Sequence, residues 1–262
     1  MAKKDVLKEI VAKKKERLVL AKQQLSEEGL KEKMPGLPPT RPFREAIAKP
    51  RQISVIAEIK RSSPSKGIIR EPFDLADIAR AYSEAQVQAI SVLTEEDYFA
   101  GNLSFINEVK AICSCPILRK DFIFEPYQVY ESRFYGADAI LLIADLLTKA
   151  QLTELMGLAD SLGLGYIVEV HEEKELKKVL GMNIPVIGIN NRDLRTLEVD
   201  TKTTERLYTL IPKDKIVVVE SGIKSRQDVM FLKILGVSAV LIGEAFMSSS
   251  DIKAKVEEVM GW

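Results

Sequence analysis

The stretch VIAEIKRSSPSKG, residues 55–67, opens as a buried strand and then departs from that pattern. Side chains on a strand alternate with period two, so Glu58 and Lys60 share the face of Ile56. A carboxylate and an ammonium thus follow an isoleucine into one environment. Either they form a structural ion pair, which adds little net stability when buried, or they line the polar lip of a pocket. The turn after this run also bears on architecture. A doubly wound open sheet would be favoured by a G-x-G-x-x-G turn here, and none is present.

Working outward from residue 53, apolar runs recur: ISVIAEI, AISVL, PILR, DAILLIA, YIVEV, PVIGIN, IVVVE and AVLIG, starting near residues 53, 89, 116, 138, 166, 185, 216 and 239. The intervening segments have helical period and are long enough for one crossover helix each. Nearly continuous Val, Ile and Leu imply strands covered on both faces, as in a parallel sheet. Eight such units predict an α/β fold, a (β/α)8 barrel, with no sequence repeat obvious between them. The 262 residues, 46% hydrophobic, suit one domain with a single large core.

Residues 1–50 read as an N-terminal helical extension packed on that domain. Leu7, Ile10, Val11, Leu18, Leu25 and Leu30 predict one amphipathic helix over residues 5–33, stopped by KMPGLPPTRPF. The lysines at 13–15 are interleaved with acids nearby and read as a solvated helix face. Thirty-eight basic residues balance thirty-eight acidic ones, so no net field draws the chain to nucleic acid or an anionic membrane. Cys113 and Cys115 read as reduced packing residues. The charge-broken N-terminal stretch resembles no signal peptide, and AILLIA is too short to span a bilayer, so a soluble cytoplasmic protein is expected.

The runs end in EIK, LTEED, LRKD, IAD, EVH, INNRD, ESG and IGE. In a barrel these C-terminal ends converge on one mouth, where βα loops build the active site. Gly222 and Gly243, at the last two ends, would let backbone amides approach an oxyanion, though both also read as plain turn glycines. Lys120 stands beside carboxylates that would keep it an ammonium; burial without them would make it neutral. Glu169 lies between Val168 and Val170, where desolvation would suit it to acid–base work, unless it only satisfies a lysine. Arg192 with Asn190 offers planar donors for a carboxylate. His171, the single histidine, lacks a G-x-S-x-G elbow and reads as a helix-start or loop residue without a catalytic role. No metal-ligand cluster is read from the sequence, which leaves Lys and Glu to move protons.

The motifs AEIKRSSPSKG, ISVLTEEDYFAGNLSF, PILRKDFI, GADAILLIADLL, GYIVEVH, GINNRDLRTLEVD, VVVESGI and VLIGEAFM, in this order, carry a resemblance to the indole-3-glycerol phosphate synthase family of tryptophan biosynthesis that runs from about residue 41 to the end of the chain. The resemblance implies a cofactor-free ring closure with loss of CO2 and water. It implies Lys120 as general acid, Glu169 and Glu58 as carboxylates for later proton transfers, Lys60 against substrate anions, and Asn190 and Arg192 as orienting residues. It further implies Ser63, Phe99, Leu141, Leu194 and Glu220 as substrate-binding residues, with Phe99, Leu141 and Leu194 enclosing the aromatic ring. Ser221, Gly222, Gly243 and Glu244 match the phosphate site. Glu244 stands where some members carry serine, and its side chain is expected to turn away from the anion. The extension is expected to lie over the barrel mouth, with RPFREAI as a short helix. The resemblance leads us to expect a monomer that binds a small phosphorylated substrate and associates weakly with other enzymes of the pathway. Phosphoribosylanthranilate isomerase or another phosphosugar barrel would share the late phosphate loops, but the pairing of EIK with LRKDF speaks against them. A non-catalytic scaffold barrel would lack an acid or a base, and Lys120, Glu169 and Glu58 are all present.

Overall fold

The computed structural model describes residues 5–262; residues 1–4, the start of the expected extension, lie outside them. Eight parallel strands close into a barrel: β1 Ser54–Ile59, β2 Ala89–Leu93, β3 Ile117–Lys120, β4 Ala139–Ile143, β5 Gly165–Val170, β6 Val186–Asn190, β7 Ile216–Glu220 and β8 Ala239–Ile242. Each predicted run coincides with one of them to within a residue at either end. Closure is made by β1, which places Glu58 opposite Ser91 of β2 and Ser54 opposite Ala239 of β8.

Alternation divides every strand between two cores. Val55, Ala57, Ile90, Ile140, Val168, Ile187, Val219 and Val240 face the outer helices, whereas Ile56, Leu118, Leu141, Ile167, Val218 and Leu241 fill the barrel. Burying each of these inner side chains contributes about 1.5–3 kcal/mol. That apolar layer, and not the charges above it, holds the barrel together. Two residues further along the same faces stand Glu58, Lys120, Glu169 and Glu220, so the interior turns polar in one step toward the mouth.

The outer helices are α4 Leu75–Glu84, α5 Ser104–Ile112, α6 Pro126–Phe134, α7 Lys149–Ser161, α8 Glu173–Leu180, α9 Lys202–Tyr208, α10 Arg226–Leu235, and α11 Glu244–Met247 with α12 Ile252–Met260. Their starts are encoded locally. Asp74 and Asp251 cap α4 and α12, and Thr148–Gln151 and Ser225–Asp228 form reciprocal capping boxes. No helix of the described residues is long and apolar enough to cross a membrane.

The extension forms three helices: α1 Val6–Gln24, α2 Glu27–Glu32 and α3 Phe43–Ile47. The single helix expected over 5–33 is therefore broken. Leu25 is extended, and the Ser26 hydroxyl accepts from Gly29 N–H at 3.1 Å. A good cap followed by Glu27 and Glu28 in the first turn favours a fresh start over continuation. The solvated reading of residues 13–15 is also corrected: Lys13 and Lys15 are exposed, but Lys14 is 2% exposed and continues the buried stripe of Leu7, Ile10 and Leu18.

The three helices serve different places. From α1, Leu7 and Ile10 reach the inner core, Val6 N–H donates to Arg195 O, and Arg17 forks onto Asp97 at 2.7 and 3.1 Å. Helix α2 packs Leu30 with Leu18 and Tyr127. Helix α3 does not lie over the mouth, as the sequence led us to expect of the whole extension. It plugs the opposite end, where Phe43 and Ile47 meet Ala89, Ala139, Val186 and Ala239, the first residues of β2, β4, β6 and β8. Small residues there leave a hole; a Cβ on Gly165, which starts β5, would stand 3.3 Å from that of Phe43.

Candidate active site

The strand-end charges meet. Lys120 Nζ, at the end of β3, lies 3.1 Å from Glu169 Oε2 on β5 and 2.7 Å from Glu220 Oε2 on β7. Asn190, at the end of β6, donates from Nδ2 to Glu169 Oε1 at 3.0 Å, and its own oxygen accepts from Arg192 N–H at 2.9 Å. Glu169 is thereby oriented through both oxygens. On the first strand, Lys60 donates to Glu58 at 2.6 Å, and Tyr82, behind the strand, donates to the Glu58 carbonyl.

Electrostatics settles the protonation alternatives for Lys120. Burial alone would push its pKa down, but Glu169, Glu220 and Glu58 outweigh burial and hold it above the usual lysine range. Lys120 is an ammonium and can give a proton. Glu220 goes the other way: burial, helped by the charges of Glu169 and Glu58 and opposed by Lys120, raises its pKa from 4.5 to about 7. Its Oε1 is buried without a hydrogen-bond partner, above Gly188, where a Cβ would stand 3.1 Å from it. Three carboxylates share two ammonium groups here, and the most deeply buried acid carries the cost.

The last two strand ends are sharp turns. Ser221 and Gly222 have φ of 67° and 80°, and Asn191 Nδ2 fixes the Ser221 carbonyl at 3.0 Å. Gly243 has a further duty that its position in the sequence does not reveal: a Cβ there would stand 2.4 Å from Glu58 Oε1. Ser63 is buried on the hairpin formed by Ser62–Ser63 and Gly67–Ile68, 3.4 Å from Ser65. Arg192 bonds the Leu197 carbonyl at 2.8 Å and Ser65 at 3.4 Å. The Glu244 side chain lies 3.9 Å from Arg192 and 3.7 Å from Lys66. Two cations counter its charge.

Phe99, Leu141 and Leu194 belong to one inner apolar cluster, as three walls of one chamber require. Phe122, missed in the sequence, completes it, with its ring 6.3 Å from that of Phe99. It lies two residues beyond Lys120, a period-two signal that could have found it. Glu95 was also missed; it is fully buried and accepts the amides of Asp97, Tyr98 and Phe99, which fixes the loop carrying Phe99. Glu95, Glu96 and Asp97 lie close enough to share a cation, but amides, Lys14 and Arg17 already engage them. His171 follows β5, donates from Nδ1 to Asn190 O at 2.8 Å, and lines a cavity of about 10 Å³ beside Glu169. Cys113 and Cys115 are free.

The chain is similar to known proteins over nearly its whole length. The family model for indole-3-glycerol phosphate synthase matches residues 7–259. A protein of that name from Acetivibrio thermocellus is 49% identical over 97% of this chain and 98% of its own. Another, from Caldanaerobacter subterraneus subsp. tengcongensis, is 53% identical over 84% of this chain and 86% of its own. Among solved structures, a tryptophan synthase complex from Pyrococcus furiosus shares the fold at a TM-score of 0.59 and 17% identity, over 80% of this chain and 98% of that one. The 3-hexulose-6-phosphate synthase of Salmonella typhimurium does so at 0.60 and 13%, over 80% and 97%. A TIM barrel with this charged mouth, matched across both halves, belongs to the indole-3-glycerol phosphate synthase family.

Proposed function

We propose that the chain closes the indole ring of 1-(2-carboxyphenylamino)-1-deoxyribulose 5-phosphate, giving indole-3-glycerol phosphate, CO2 and water as a carbon–carbon lyase of tryptophan biosynthesis. The observation that carries this reading is the Lys120 ammonium held between Glu169 and Glu220 at the mouth of a closed barrel. As the ring carbon bearing the carboxylate attacks the ribulose carbonyl, Lys120 gives the carbonyl oxygen a proton and a C–C bond forms. The C–CO2 bond then breaks, its electron pair restores the ring system, and CO2 leaves. Glu169 and Glu58 then take a proton from ribulose C1, whose C–H electron pair becomes the new ring double bond, and return one to the hydroxyl, whose C–O bond breaks to release water. Fixed charges placed where charge develops, inside an apolar chamber, lower such barriers most.

Lys60 faces the departing carboxylate, while Asn190 and Arg192 orient the intermediate. Phe99, Leu141 and Leu194 enclose the aromatic ring; Glu220 supports Lys120 at the substrate's edge. Backbone N–H groups at Ser221, Gly222, Gly243 and Glu244, with Ser63, receive the phosphate. The reading takes the chain as a monomer that associates weakly with other enzymes of the pathway, and the two free thiols suit a reducing, cytoplasmic setting. The test is to supply the carboxyphenylamino deoxyribulose phosphate with no cofactor added and follow indole fluorescence. Fluorescence rising with CO2 release supports the reading, and its absence refutes it.

A further inference from the structure

We propose that Lys14, from the N-terminal extension, is a positioning residue for Lys120: its buried ammonium clamps Asp121 and so fixes the end of β3 from which Lys120 reaches Glu169 and Glu220. This rests on Lys120 being the general acid.

The clamp follows from alternation at the end of β3. Lys120 points into the barrel, and its neighbours Arg119 and Asp121 point out of it. Asp121 is held from four sides: by Lys14 at 3.0 Å, Arg119 at 2.9 Å, the Thr94 hydroxyl at 2.6 Å and its neighbour's amide, Phe122 N–H, at 2.8 Å. Thr94 also donates its backbone N–H to the Lys120 carbonyl at 3.1 Å, so one residue grips both sides of the peptide that carries Lys120. Arg119 is engaged elsewhere as well, by Glu131 at 2.9 Å, the Gln128 carbonyl and Ser132. Lys14 also meets Glu96 at 2.8 Å.

Charge bookkeeping makes Lys14 decisive. Arg119 and Lys14 face Asp121, Glu131 and Glu96. Without Lys14, Arg119 alone faces the two buried carboxylates Asp121 and Glu131, and Glu96 loses its ammonium partner. Asp121 then loses a donor and gains uncompensated charge, and both effects let the peptide at 120–121 shift. Lys120 Nζ sits at the end of a long side chain with partners at 2.7 and 3.1 Å, so a small rotation at its root breaks its alignment. Misplacing a catalytic group by about 1 Å can cost on the order of 10²-fold in rate.

The experiment compares full-length Lys14→Met, Lys14→Arg and Glu96→Gln for kcat and KM in the ring closure, and repeats Lys14→Met in a Lys120→Ala background. Lys14→Met is expected to lower kcat by about tenfold or more with KM changed by less than about threefold. Lys14→Arg should recover most of kcat, and Glu96→Gln should stay within about twofold of the parent, because Asp121 keeps its clamp. With Lys120 absent, Lys14→Met should lower the residual turnover no further. Parent-like kcat in Lys14→Met overturns the proposal, as does an equal further loss in the Lys120→Ala background, which would mark a general structural role. If Lys14→Met shows no cooperative melt, Lys14→Gln, which removes the ammonium, takes its place: a fall in kcat with little change in KM is expected, and parent-like kcat overturns the proposal. Unimpaired turnover in Lys120→Ala alone would overturn the mechanism itself.

Discussion

Replacing Gly243 with alanine separates two duties that this position could have, as an amide for phosphate and as space for Glu58. Its φ is −123°, so alanine meets no left-handed penalty, and the backbone N–H is kept. The added Cβ, however, would lie 2.4 Å from Glu58 Oε1, where ordinary contact begins at 3.4 Å. The carboxylate must therefore retreat by about 1 Å, which stretches the 2.6 Å bond to Lys60 beyond hydrogen-bonding range unless Lys60 follows. A displacement of that size at a reacting group costs about tenfold to hundredfold in rate. We expect kcat to fall by that factor in the fluorescence assay, while competitive inhibition by inorganic phosphate or glycerol phosphate stays within about twofold. In a Glu58→Ala background, which removes the 2.4 Å carboxylate contact and leaves only a Cβ at 3.0 Å, Gly243→Ala should cost much less. Turnover close to the parent's, or a loss confined to phosphate affinity, would refute the assignment of this glycine to Glu58.

Other expectations follow from the same geometry. Lys120→Ala should keep the fold and ligand binding, because Glu220 is already poised to take up a proton, while turnover falls by about 10²-fold or more; steady-state kinetics beside a thermal melt decides it. Glu169→Gln should lower kcat more than affinity, and a change in KM alone would make this residue a positioning group only. Glu220 binds its proton more tightly folded than unfolded, so its contribution to stability is fully present below pH 4.5 and is lost as pH rises through about 7. Thermal melts across that window should show the stability of the parent falling relative to Glu220→Gln as pH rises; a parent whose stability holds constant or rises relative to Glu220→Gln contradicts the shift.

The barrel was legible because eight apolar runs, each followed by room for a helix, admit few topologies, and because Glu58, Lys120, Glu169 and Glu220 each stand two residues beyond an inward apolar one. Period two carries information from strand to site. It carries none about residues that act through another element. The place of Lys14 depends on where α1 lands, and charge spacing along α1 made it look solvated. The role of Gly243 depends on the neighbouring strand, because β1 and β8 are far apart in sequence and meet only when the barrel closes. Helix α3 was recognisable as a helix, but its end of the barrel was not, since the fit of Phe43 into a hole left by alanines is a fact about volume.

That plug has its own consequence. A barrel filled by its inner apolar layer and closed below by Phe43 and Ile47, both nearly inaccessible, has a single door at its mouth. In the proposed reaction a gas is born partway down, beneath a substrate that fills the entrance. CO2 must then escape past the bound intermediate, or wait until the occupant shifts, so the traffic of the reaction becomes a queue through one opening.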